Sequence, residues 1–280
     1  MEADVFTLFS SDFYQVLDFK CRCTDCKTSK PEYTDAFSIS FVRKGNFLFN
    51  VFRHSYDSHT GCILLTKPGY EHTVAHIHHI PDECTIIEFK ADFYKSIKKH
   101  YSHAFFADND LHSLQISTTP ETEFLHFQLM RLLFSRNYGK LQLDGIVLDI
   151  IEKTLGAIAE PRNEKKISAR LKKNHLITIE QAKAFIIEEF DNDISLIDIA
   201  DECCISPFHF SRIFKTFTSC SPYQFLLSVR LKNAEMLLKT SASPIADVAY
   251  VSGFNSVEHF TASFTARYSL SPGRFREQYV

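Results

Sequence analysis

The sequence predicts a two-part chain: a β-rich first part folded as a sandwich or barrel, and an all-α last part. Three observations carry this expectation. Between residues 37 and 89, short runs of β-branched and aromatic residues alternate with turn signals. From Thr178 onward, apolar residues recur at helical spacing. The last hundred residues also write one pattern twice. Phe210-x3-Phe214-x7-Pro222-x2-Phe225 returns as Phe260-x3-Phe264-x7-Pro272-x2-Phe275, a shift of fifty. Upstream, Asp198-Ile199-Ala200 returns as Asp247-Val248-Ala249 at a shift of forty-nine, so the second copy carries one extra residue in its turn.

At 280 residues the chain has room for about two domains. Its 45% hydrophobic content supplies ample core material and excludes a disordered chain. No window reaches the ~18 apolar residues of a membrane helix. The N-terminus, MEADVFTLFSSDF, has no basic stretch followed by an apolar run. The expected location is cytoplasmic, with no membrane partner. The eight cysteines then read as reduced thiols or metal ligands, not as a disulfide framework. The net charge of −3 divides unevenly, −5 over residues 1–160 and +2 over 161–280. An acidic part joined to a mildly basic one fits a sensor attached to a nucleic-acid binder.

The expected strands run Phe37–Val42, Asn46–Phe52, Cys62–Leu65 and Cys84–Phe89. Arg43-Lys44-Gly45 turns between the first two, and Pro68-Gly69 breaks the chain after the third. Two amphipathic helices follow. Leu125, Leu129, Leu132 and Leu133 line one; Leu143, Val147, Ile150, Ile151, Leu155 and Ile158 line the other. Asn137, Tyr138 and Gly139 supply the break between them. The pair either packs on its own domain or forms a homodimer interface. The domains expected are therefore a β domain at 1–120, a helical hairpin at 121–160, a polar linker at 161–175 and a helical domain at 176–280.

In the helical domain, Gln181–Phe190 starts the first unit. Asp193 or Ser195 caps a helix from Leu196 to Cys203, a turn follows at 204–206, and Ser206 caps Pro207–Phe217 with Pro in the favoured first position. Helix, short turn, helix is a helix-turn-helix, whose second helix enters the DNA major groove. Phe210, Ile213, Phe214 and Phe217 share one face and point to the core. That leaves Phe208, His209, Ser211 and Arg212 as candidate base contacts. Arg212 suits guanine, and Phe208 suits a thymine methyl. The second unit runs Ile245–Tyr250, a turn with Gly253, then Ser256–Arg267, offering Val257, Glu258, His259 and Thr261 to bases. Lys215, Arg230 and Arg276 are the phosphate candidates. Between the units Gln224–Lys239 reads as one rigid helix, with Phe225, Leu226, Val229, Ala234, Leu237 and Leu238 as core.

This region resembles the AraC/XylS family of transcriptional regulators. The likeness rests on Ile199-Ala200, Ser206-x3-Phe210-Ser-Arg-Ile-Phe214-Lys, Ser221-Pro222, Arg230-Leu231-x2-Ala234-x2-Leu237-Leu238, Ile245-Ala-Asp-Val-Ala249, Gly253-Phe254, Phe260-x3-Phe264 and Ser271-Pro272-x2-Phe275. The resemblance implies two helix-turn-helix motifs in successive major grooves, binding to double-stranded promoter DNA, and activation through RNA polymerase. The family often has a basic residue where Ala262 and Thr265 stand, whereas the first unit carries Arg212 and Lys215 there. The first unit is therefore the expected principal reader.

Gly61-x6-Pro68-Gly69-x2-His72 resembles the second motif of cupin barrels, which implies a cupin-like sensor for an unknown small-molecule effector. Enzymatic cupins carry His-x-His and Glu on an earlier strand, and Gly45–Phe52 has neither. A cupin enzyme fused to a DNA-binding domain is thus the weaker reading, and no cofactor is called for. His72, His76 and His78 are candidates for a ligand pocket. Cys23-x2-Cys26 has the spacing of half a zinc site, and Cys21 shares a strand face with Cys23. The alternatives are ordinary reduced thiols or a thiol- or zinc-responsive regulator built on Cys21, Cys23 and Cys26.

Overall fold

The structure is a computed structural model that describes residues 3–22, 28–77, 81–159 and 167–279. Cys23, Cys26, His78 and the first part of the expected linker lie outside the described residues. The chain divides into two compact units: residues 1–118 with 128–165, and residues 119–127 with 166–280.

Among the described residues the first unit holds ten strands: β1 Ala3–Ser10, β2 Tyr14–Cys21, β3 Glu32–Thr34, β4 Phe37–Lys44, β5 Asn46–Val51, β6 His54–His59, β7 Cys62–Thr66, β8 Tyr70–His76, β9 Glu83–Phe89 and β10 Ser113–Ser117. They form two antiparallel sheets, β1-β2-β9-β4-β7-β10 and β3-β8-β5-β6. Strand β2 pairs with β9, β3 with β8, β4 with β7, and β5 with β6. One long hairpin has therefore been folded double and rolled so that β4 also meets β9 and β5 meets β8. This is a double-sheet jelly roll, within the barrel-or-sandwich class expected. The four strands read from sequence correspond to β4, β5, β7 and β9.

Side-chain alternation explains the roll. On β5, Phe47, Phe49 and Val51 point inward and meet Val42, Leu64, Val74 and Cys84 in one cluster. The polar strands β3, β6 and β8 give weaker alternation, and none was singled out from sequence. Nor were two short helices, α1 Ala91–His100 and α2 Ala104–Ala107. Their signal is aromatic: Tyr94 of α1 stacks on Phe37 at 4.8 Å between ring centroids, and Phe106 meets Phe37 at 5.7 Å.

The helices α3 Pro120–Ser135 and α4 Lys140–Ala159 are separated at 136–139, as Asn137, Tyr138 and Gly139 predict. Their grouping differs from the expected separate hairpin. Residues 120–127 of α3 count with the helical unit, while 128–135 and α4 count with the β unit. The reason is packing. Phe124 is buried in the helical core, 5.3 Å from the Phe190 ring, and Glu123 pairs with Lys183.

The helical unit continues with α5 Ala169–Glu188, α6 Leu196–Glu202, α7 Pro207–Thr218, α8 Pro222–Thr240, α9 Ile245–Val251, α10 Val257–Tyr268 and α11 Pro272–Arg276. Helix α5 begins inside the stretch expected as linker, because Ser168 caps it and Leu176, Ile179 and Ala182 bury its face. Two cores follow from the repeat. Phe210, Ile213 and Phe214 of α7 build one; Phe260 and Phe264 of α10 build the other. Helix α8 serves both, giving Phe225, Leu226 and Val229 to the first and Leu231, Ala234 and Leu238 to the second.

Candidate nucleic-acid interface

Each unit of the repeat is built by its caps. Ser195 and Asp198 form a reciprocal capping box on α6, and Ser206 accepts the His209 N–H at the start of α7, where Pro207 occupies the first turn. In the second unit Ser256 accepts the His259 N–H at the start of α10. Both reading helices end in a left-handed serine, Ser219 and Ser269, each with φ of 61°. Ser221-Pro222 and Ser271-Pro272 then start the next helix in both copies.

The turns match bond for bond. Cys204 N–H donates to Asp201 at 2.9 Å, and Ile205 N–H to Ala200 at 3.1 Å. Gly253 N–H donates to Tyr250 at 2.9 Å, and Phe254 N–H to Ala249 at 3.1 Å. Cys204 and Gly253 both have positive φ, 54° and 80°. The register is forty-nine through Ile205 and Phe254, and fifty from Ser206 and Ser256. The extra residue is thus Asn255, and it is exposed.

On α7, Phe208 is 88% exposed, a large apolar ring left uncovered at the N-terminal turn of the reading helix. Arg212 and Lys215 are exposed on the same outer side; His209 and Ser211 are half-buried. Nη2 of Arg212 lies 3.4 Å from Nδ1 of His209, whose ring meets His175 at 5.4 Å. On α10, Glu258 and His259 are exposed, and Val257 and Thr261 half-buried. His259 packs on Phe254 and lies 3.4 Å from the Tyr223 hydroxyl. Tyr223 and His175 were not singled out from sequence; only the tertiary fold brings them beside the reading helices. Ala262 and Thr265 leave the middle of α10 without a cation. Arg267, one turn further, binds Glu121 at 2.7 Å.

The phosphate candidates separate. Lys215 is exposed. Arg230 also has a structural role: Nε donates to Phe190 O at 2.7 Å and Nη2 to Asn192 O at 2.8 Å, bonding carbonyls just after α5. Arg276 is half-buried, with Nε and Nη2 buried and unbonded among the described residues. A further group was illegible in sequence. Lys232 is wholly buried on α8 and pairs with Glu235 at 3.0 Å; Lys239 and the Tyr268 hydroxyl bind the same carboxylate at 2.7 and 3.0 Å. Burial would raise the Glu235 carboxyl, but the two lysines hold it down at about 2.

Residues 199–278 match a family profile described as "Helix-turn-helix domain". The C-terminal unit carries an AraC-type helix-turn-helix domain. The chain is 35% identical over 92 residues to an uncharacterized HTH-type transcriptional regulator of Haemophilus influenzae, covering 33% of this chain and 31% of that protein. It is 30% identical over 134 residues to the uncharacterized HTH-type transcriptional regulator YfiF of Bacillus subtilis, covering 48% and 41%. It is 27% identical over 152 residues to the HTH-type transcriptional regulator ArgR of Pseudomonas aeruginosa, covering 54% and 45%. The matched stretch thus spans about a third to under half the length of these relatives. Among solved structures, the DNA-binding domain of AdpA in complex with a target DNA aligns at a TM-score of 0.36 and 26% identity, over 36% of this chain and 92% of that one.

In the β unit, the candidate residues take different partners. The His72 ring stacks on Phe49 at 4.7 Å, with Nδ1 3.2 Å from the Thr34 hydroxyl and Nε2 3.9 Å from Glu32. Burial lowers its pKa, against the pull of Glu32. His76 turns instead to Cys21 and Asp82. Among the described residues no group of three His, Cys, Asp or Glu side chains is placed to hold a metal ion. No described helix is long and apolar enough to cross a membrane.

Proposed function

We propose that this chain is a sequence-specific regulator of transcription that binds promoter DNA through both helix-turn-helix units, with α7 the principal reader and α10 the weaker one. The carrying observation is the pair of superimposable turns with unequal outer faces: Phe208, Arg212 and Lys215 stand uncovered on α7, against Ala262 and Thr265 on α10. Arg212 reads a guanine, Phe208 a thymine methyl, and Lys215 meets phosphate. Glu258, His259 and Thr261 supply the lesser readout of α10. Arg230 and Arg276 remain phosphate candidates. The jelly roll serves as the effector-sensing unit, and the helices α3 and α4 as a homodimer surface. Activation then proceeds by contact with RNA polymerase.

The test starts from genome-wide mapping of bound DNA, which supplies the operator. Arg212→Ala should weaken operator binding by about 1–3 kcal/mol and relax discrimination at one base pair. Ala262→Arg should strengthen binding through the second half-site and steepen its salt dependence. Operator affinity unchanged by Arg212→Ala would defeat the assignment of α7 as principal reader.

A further inference from the structure

Strand β2 ends on Cys21, which is 5% exposed. Its Sγ lies 3.6 Å from Nε2 of His76, the last residue of β8. The other ring nitrogen, Nδ1, is in direct contact with Oδ2 of Asp82, one residue before β9. The histidine and aspartate side chains are 5% and 3% exposed. The jelly roll creates this meeting. The Cys21 N–H donates to Asp82 O at 2.9 Å, extending the β2–β9 ladder by one bond. Gly45, with φ of 89°, sits against the carboxylate, and a Cβ there would collide with Oδ1 of Asp82.

The order thiol, imidazole, carboxylate is that of a nucleophile, its base and the group that orients the base. The Asp82 carboxylate against Nδ1 favours the tautomer whose Nε2 lone pair faces sulfur. Burial raises the Asp82 carboxyl, and the contact with His76 pulls it back down. Cys84 is the contrasting thiol. It lies two residues beyond Asp82 on β9, and burial pushes it up to about 12, so it stays protonated. A zinc site is the other chemistry for Cys and His, but it needs about four ligands. Here Asp82 stands behind the imidazole, on the nitrogen remote from sulfur.

We propose that Cys21 is a modification site, a thiol activated by His76 that reduces a small hydroperoxide. Asp82 is a positioning residue. The thiol proton passes to Nε2 of His76, and the thiolate attacks the nearer peroxide oxygen. An S–O bond forms as the O–O bond breaks. The departing oxygen takes the proton from Nε2 and leaves as water or alcohol. Sulfur is oxidised by two electrons to the sulfenic acid, and the peroxide is reduced by two. Hydrogen peroxide is close to water in size, which suits a thiol this enclosed.

The experiment treats the full chain with hydrogen peroxide, stops it with catalase, and traps sulfenic acid with dimedone in urea for mass spectrometry. Cys21 should be oxidised about 100-fold faster than Cys84, and His76→Gln should remove that advantage. Without urea, iodoacetamide should leave buried Cys84 unlabelled in both proteins, showing that the fold of the β unit survives. Asp82→Asn should slow Cys21 oxidation and shift its pH dependence, with buried Cys84 oxidised no faster than in the unaltered chain. Cys21 reacting no faster than Cys84, or an unchanged rate in His76→Gln, overturns the proposal. So does stoichiometric zinc in the purified protein that Cys21→Ser removes. No step uses DNA, so this outcome is separate from that of the operator-binding test.

Discussion

The two helix-turn-helix units share a backbone and differ in what surrounds it. Both turns place a residue at positive φ, but one is Cys204 and the other Gly253. Cys204 is exposed, so its side chain projects into open space and only local strain is felt. Gly253 is buried. A Cβ there would lie 2.5 Å from Phe190 O and 2.8 Å from Nε of Arg230. The same turn thus tolerates a side chain in one copy and forbids it in the other. Arg230 explains the difference: it links the end of α5 to the centre of α8, and the second turn is pressed against that joint. The repeat encodes a fold, while position in the assembled unit decides which residues it accepts.

Gly253→Ala should break this comparison most severely. Left-handed strain and overpacking together cost roughly 2–6 kcal/mol. Urea unfolding should show the loss, and a midpoint close to that of the unaltered protein would mean the turn is not pressed against Phe190.

The buried network on α8 comes next. Glu235→Gln removes the buried carboxylate shared by Lys232, Lys239 and Tyr268 and should cost about 3 kcal/mol. The Glu235 carboxyl is held at about 2, below the ordinary ~4.3. Its stabilisation is therefore full above about pH 4.3 and is lost as pH falls toward 2. Thermal melts between these values should show that loss in the native chain and a weaker slope in Glu235→Gln. Equal slopes would place the acid sensitivity elsewhere.

The smallest effect sharpens the contrast. Cys204→Gly should relieve left-handed strain and stabilise by about 0.5–1 kcal/mol. A destabilised protein would show that the Cys204 side chain contributes contacts that its exposure does not suggest.

Legibility follows the range of the interaction. The caps Ser195 and Ser206 act within three or four residues and are readable from spacing, and the structure adds Ser221, Ser256 and Ser271. The inward Phe residues declare themselves by period. The exposed set Phe208, Arg212 and Lys215 follows by subtraction from the buried face. The carbonyl bonds of Arg230 are not legible, because a cation on a helix looks the same whether it meets phosphate or a carbonyl. In the β unit, β3, β6 and β8 carry too few apolar residues for alternation to show.

The sequence by itself determined the helical repeat, its turns, its caps and the unequal outer faces of its two reading helices, because these depend on neighbours within a turn or two of chain. The tertiary structure alone decided the partners of Arg230, the burial of Lys232 with Glu235, the entry of Phe124 into the helical core and the meeting of Cys21 with His76 and Asp82. Those contacts join residues far apart in the chain. Nothing in local periodicity encodes them; they exist once packing has closed the intervening loops.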